Sequence, residues 1–193
     1  MTTNYKIGFA RPALINETVL VAQTYQQLCD WSLVKQTIKN DNLLQTRTTR
    51  SSDIMYSEIF KRLSLLNEEQ IDVIAADHRQ DVFQLVWIAI CKQYPFIGDF
   101  TLEVLEPAFK TGRSQIDHDD YGYFFNSKAD WHPELDNVSD KTRSNARQAL
   151  FQMMRQCELL TESNQLITQM MSSAVQNSSP ESDLVFIPGA IRL

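Results

Sequence analysis

Glycine is scarce in this 193-residue chain, which has five glycines and six prolines. A β-sandwich or barrel needs a tight turn roughly every eight to twelve residues. The scarcity therefore argues against both and for long helices joined by short connections. The glycines are also isolated, so neither a phosphate-cradling loop nor a dinucleotide fingerprint can be built from them. Gly-x-Ser-x-Gly and His-Glu-x-x-His are absent as well, and no nucleophile has an identifiable base. Cysteine is limited to Cys29, Cys91 and Cys157. They are odd in number, far apart and without a Cys-x-x-Cys pair, which excludes a zinc ribbon or a disulfide scaffold. Each sits in an apolar stretch, and buried free thiols in a reducing cytoplasm are expected. No basic start followed by an apolar core opens the chain, so no signal peptide is expected. The most apolar run, Val82 to Cys91, is interrupted by Gln84 and falls well short of the ~20 residues of a membrane span. It reads as a central core helix. Finally, there is no general excess of positive charge: the net charge is −6 and the isoelectric point about 5.0.

What is present suits a folded helical body. Hydrophobic residues make up 43 % and charged residues 22 % of the chain, enough for a core and too ordinary for global disorder. After a lead-in over residues 1–12, Asn16 is the expected N-cap of a helix carrying Val19, Ala22 and Cys29. Asp30 or Ser32 caps a second helix, which Asn40-Asp41-Asn42 breaks. A third begins near Ser51 or Ser52, with Tyr56, Ile59, Phe60 and Leu63 as its apolar stripe and Arg50, Ser57 and Lys61 on another face. Asn67 opens a fourth, and His78 closes it. Pro95 starts the helix of Phe96, Phe100 and Val104, which ends near Lys110-Thr111-Gly112. Ser139 starts a long helix with the stripe Ala146, Leu150, Met153, Met154 and Cys157. Beyond it, Leu159-Leu160 and Leu166-Ile167 flank a polar turn, a pattern that fits either a small β-hairpin in a winged-helix-like arrangement or a plain loop. Ser172 to Asp183 is Ser-rich and expected to be mobile, and Leu184 to Gly189 to dock back on the body. The fold expected is all-α, with an N-terminal helical region over 1–112 and a C-terminal one with the wing over 113–193, which can also pack as one domain.

Two short segments concentrate positive charge and hydroxyls at helix starts. The first is Arg47, Thr48, Arg50, Ser51 and Ser52, continued by Lys61 and Arg62. The second is Lys141, Thr142, Arg143 and Arg147. Guanidinium groups, hydroxyls and free N–H groups at the positive end of a helix dipole are what hold a phosphate. On an acidic chain such local charge favours a defined docking surface. The bland alternative is that the hydroxyls merely cap and the cations keep helices soluble. Base reading has little support beyond Asn145 and Gln148.

The stretch from Asp117 to Asp136 is acidic and aromatic. Tyr121, Tyr123 and Trp131 either fill the core or anchor a partner protein. Asp99, Glu103 and Glu106 share a helix side, and His118 lies among aspartates. Both read as solvated helix faces more readily than as metal or proton-transfer sites, and no cofactor, metal or catalytic residue is expected.

Several motifs in order resemble one family: Arg47-Thr48 through Ser51 with Arg62-Leu63-Ser64; Ile97-x-Asp99-Phe100 with Glu103-Val104-Leu105; Trp131-His132-Pro133-Glu134-Leu135; Phe151-x-Met153-Met154-Arg155; and Ile187-Pro188-Gly189. The series resembles the BrxA family of BREX bacteriophage-defence systems over nearly the whole chain. The resemblance implies a helical cytoplasmic protein without known enzymatic activity, a body similar to the antitermination factor NusB, double-stranded DNA as ligand and other BREX proteins as partners. The inner-membrane label sometimes given to members finds no span here. The rival expectations are a protein-interaction scaffold and an RNA-binding protein.

Overall fold

The computed structural model describes Tyr5, residues 7–9 and residues 12–192. The expected lead-in thus lies partly outside the described residues. The helices come in chain order: α1 (Ile15–Leu28), α2 (Trp31–Asn40), α3 (Thr49–Leu63), α4 (Glu68–Ala75), α5 (Arg79–Gln93), α6 (Pro95–Phe100), α7 (Glu106–Lys110), α8 (His118–Ala129), α9 (Pro133–Asp136), α10 (Asp140–Gln156), α11 (Ser173–Ser178) and α12 (Glu181–Leu184). A parallel pair, β1 (Met170–Met171) with β2 (Ile191–Arg192), is the one named sheet among the described residues. The fold is mostly α with a small C-terminal β element.

Side-chain caps start several helices where the residue types require them. Asp30 accepts from the amides of Ser32 and Leu33. Asn67 and Gln70 close a reciprocal capping box at α4, which satisfies two donors that the first turn leaves open. Pro95 occupies the first turn of α6, where its missing N–H costs nothing. Between α6 and α7 the ladder loosens into a π turn over Thr101–Leu105, and the Glu106 amide bonds the Thr101 carbonyl five residues back. Pro107 follows at once and cannot donate, which removes the ordinary i−4 donor for the Glu103 carbonyl.

The core runs through α5, which is buried without interruption from Asp81 to Cys91. α5 packs against α3, α4 and α6, and α1 packs against α2, α3 and α4. Phe96 of α6 meets Tyr121, Phe124 and Phe125 of α8 at ring-centroid distances of 5.8, 5.1 and 6.1 Å. Side chains from both sides of Gly112 therefore share one core.

Four local expectations need correction. Asn16 lies inside α1 and accepts a hydrogen bond from Arg79; the cap position is Leu14, in a left-handed conformation at φ 57°. Thr48, not Ser51 or Ser52, caps α3. His78 stands at the cap position of α5, after α4 has ended at Ala75. The Ser-rich segment is not a mobile tract. Ser172 caps α11, Val175 is fully buried, and the Ser178 carbonyl accepts from Asn67.

The short hairpin after α10 exists as an antiparallel bridge between Leu160 and Leu166. Its outer edge is occupied, because Gln165 bridges Gln115 and the Leu166 amide bonds the Ser114 carbonyl. The C-terminal segment docks back as expected. Ile187 is buried, the Gly189 amide bonds Glu106, and at φ +61° Gly189 lies against the Phe109 ring, where a side chain would collide.

Candidate nucleic-acid interface

The start of α3 is built from Asn42 onward. Asn42 accepts from the Thr46 amide, and the Thr46 hydroxyl bonds the Thr48 carbonyl, so the approach to the helix is tied down. Thr48 Oγ1 accepts from the Ser51 amide at 3.1 Å and donates to Ser51 Oγ at 2.9 Å. That leaves the amides of the first two helical residues facing outward. Residues 47–51 are all exposed. The side chains of Arg47 and Arg50 make no hydrogen bond or ion pair with any described residue, and Lys61 is exposed on the same helix.

Two residues assigned to this segment do not belong to its surface. Ser52 is 4 % exposed and turned inward. Arg62 is 1 % exposed and cannot reach a phosphate. Its guanidinium donates to the carbonyls of Pro12 (3.1 Å) and Ala13 (2.7 Å), to Gln93 (3.2 Å) and to the Glu58 carboxylate (3.2 Å). Tyr94 also donates to Glu58 at 2.5 Å. Arg62 is thus an internal clamp that holds the chain just before α1, where Leu14 adopts its left-handed turn.

The start of α10 divides in the same way. Ser139 caps it through the Thr142 amide, and Lys141 and Thr142 are exposed. Arg143 is turned onto α8. Its guanidinium carbon sits 4.2 Å from the Phe125 ring centroid, and Nη2 donates to the Gly122 carbonyl and to Asn126. Arg147 is half-buried, with Nε enclosed and unpartnered. Arg143, expected as a phosphate contact, instead commits Nη2 to α8 and covers the Phe125 ring. Of the cations in these two segments, Arg47, Arg50, Lys61 and Lys141 face solvent. α3 packs on α1, α2 and α5, whereas the start of α10 packs on α8.

The other sequence candidates have structural partners. Asp99 and Glu103 both bind Lys128, and Asp99 also accepts from the Tyr5 hydroxyl. Burial, aided by the Asp99 carboxylate, pushes that phenol far above its ordinary range. His118 lies edge-on to Phe151, and His132 stacks on Tyr5 with centroids 3.7 Å apart. Among the described residues, no group of three His, Cys, Asp or Glu is arranged to hold a metal ion. Cys91 and Cys157 are buried, and burial pushes the Cys157 thiol up to about 12. Cys29 is exposed at the left-handed end of α1, against expectation. No helix among the described residues is long and apolar enough to cross a membrane. Arg79 and Arg155, on separate helices, line a polar cleft of about 460 Å³ with the first turn of α1, Glu17 and Glu158. No sequence spacing could have brought them together.

A sequence profile of the BrxA family matches residues 3–178. The chain belongs to the BrxA family. The resemblance carried by the ordered motifs is thereby borne out. The chain is also similar to BREX protein BrxA of Escherichia coli O9:H4 (strain HS), with 23 % identity over 131 residues, 68 % of this chain and 62 % of that protein. The match thus spans less than two thirds of that relative's length. Among solved structures, an uncharacterized protein from Magnetospirillum magneticum has the same fold, with a TM-score of 0.79 at 18 % identity and 96 % of each chain covered.

Proposed function

We propose that the protein is a non-enzymatic, cytoplasmic accessory component of a BREX phage-defence system that docks on duplex DNA mainly through phosphate contacts. Family membership and the name of the relative support the BREX assignment. One observation carries the DNA reading: Arg47 and Arg50 stand exposed and unpaired at the anchored start of α3. Cations beside open backbone amides at an anchored helix start suit a phosphate oxygen. Thr48 and Ser51 support them, Lys61 extends the face, and Lys141 with Thr142 offers a second contact. A NusB-like helical body, implied by the family resemblance, suits this role. Few Asn or Gln side chains accompany the arginines, so sequence-independent binding is the form proposed.

The test is fluorescence anisotropy of a labelled duplex over a salt series. Binding should weaken steeply, with a log–log slope of roughly −0.9 per phosphate neutralised. The folded Arg47→Glu/Arg50→Glu variant should lose affinity and slope together. Absence of binding at low salt, or an unchanged slope in the variant, rules the reading out. Preference for RNA in direct competition would move the same surface to the other nucleic acid.

A further inference from the structure

The chain's excess negative charge is confined to one region. Residues 99–136 contain nine carboxylates and three Lys or Arg, which accounts for the whole net charge of −6. All three cations already have partners inside that region. Lys110 pairs with Glu106, Arg113 with Asp120, and Lys128 with Asp99 and Glu103. The side-chain carboxylates of Asp119, Asp130 and Asp136 are left without a charged or hydrogen-bonding partner among the described residues. The surface repels nucleic acid and attracts cations.

The same region carries the two most exposed large aromatics among the described residues, Trp131 at 81 % and Tyr123 at 76 %. Their neighbours Tyr121, Phe124 and Phe125 are buried, so the core has not taken these two. Tyr123 also lines a groove of about 450 Å³ between the Thr101–Lys110 segment and α8. Val104, Pro107, Ala108 and Phe124 give it an apolar floor, and its rim carries Glu103, Asp120 and the Arg113 that pairs with Asp120. Trp131 lies just past the C-terminal end of α8, the helix that carries Tyr123.

We propose that this groove docks a cationic segment of another protein, one that alternates Arg or Lys with apolar residues. The apolar residues fill the floor, and the cations meet Glu103, Asp119 and the faces of Tyr123 and Trp131. Exposed aromatic rings attract guanidinium and ammonium groups, and Tyr and Trp are typical interface anchors. A neutral or acidic partner would leave the unpaired carboxylates uncompensated. The proposal does not depend on the DNA reading, because it concerns a surface of opposite sign.

The experiment pans a displayed library of random dodecapeptides against the full chain. Enriched sequences are then resynthesised with a fluorescent label for anisotropy. The expected peptides combine cations with apolar residues. They should bind at least tenfold more weakly to the Tyr123→Ser/Trp131→Ser and Asp119→Asn/Asp130→Asn variants, and unchanged to Arg47→Glu/Arg50→Glu. All the substituted positions are partly or fully exposed, so the variants should fold. Acidic or neutral consensus peptides, no enrichment, or binding indifferent to the aromatic pair would each overturn the proposal. The last outcome would mean general charge attraction without a groove.

Discussion

The starts of α3 and α10 are alike in composition and unlike in use. Each has a hydroxyl cap, cations within two turns and an apolar stripe behind. At α3 the two leading arginines face water with nothing to bind. At α10 Arg143 lies over Phe125 and bonds Asn126, and Arg147 is half-buried. The difference comes from the neighbouring helix. α8 offers an aromatic face and a carbonyl at guanidinium height, whereas no described residue does so for Arg47 or Arg50. A cation is available for a ligand only when the protein has not already found it a partner. Arg62, on α3 itself, makes the contrast sharper, since it is a cation enclosed by four acceptors from separate parts of the chain.

The largest effect expected is on Arg62. Arg62→Ala leaves the largely enclosed Glu58 without its counter-charge and two carbonyls without donors, a loss of about 3–5 kcal/mol. Arg50→Ala, at an exposed site with no partner, should stay within about 0.5 kcal/mol. Paired urea unfolding curves check both. Equal midpoints for the two variants would erase the distinction between clamp and free cation.

For DNA, Arg47→Glu/Arg50→Glu should cost at least tenfold in affinity and flatten the salt slope by about one unit per lost contact. Lys141→Glu should have a smaller effect. Arg143→Ala should act mainly on stability, by about 1–2 kcal/mol, through its ring contact and hydrogen bonds. If Arg143→Ala weakens DNA binding as much as the α3 pair while its melting temperature stays unchanged, the division of roles between the two helix starts is wrong.

Much of the scaffold was legible because its signals are local. Asp30, Asn67 and Ser139 cap where their neighbours require it, Pro95 opens a helix, and the apolar Val82–Cys91 run lies at the centre. What was not legible depends on distant partners. Arg62 sits beside Lys61 in sequence, and only its acceptors at Pro12, Ala13 and Gln93 separate the two. α11 forms in a Ser-rich segment because Val175 and Ser178 find places against α4 and α5. The β1–β2 pair joins residues about twenty apart, too short for any alternation to announce it. Of the acidic aromatic stretch, composition could not say which rings would be buried. α8 buries Tyr121, Phe124 and Phe125 and leaves Tyr123 out because of helical geometry set by the Phe96 contact.

Arg113 supplies the intermediate case, exposed yet paired, and the smallest effect. It holds Asp120 through two hydrogen bonds of 2.8 and 2.9 Å. Burial pushes the Asp120 carboxyl up, but Arg113 and the Asp117 amide more than offset this, and it ends below its ordinary value of 3.8. A carboxyl with a depressed folded value contributes stability above its unfolded value and loses that contribution as pH falls through the folded one. Asp120→Asn should therefore be less stable than the wild type by under about 1 kcal/mol at neutral pH, as for other exposed pairs. The gap should close as pH falls below 3.8. Thermal melts of both proteins from pH 7 to pH 2 measure it. A gap that persists at the acid end would assign the effect to the α8 cap, where Asp120 also accepts from the Asp117 amide, and not to the arginine.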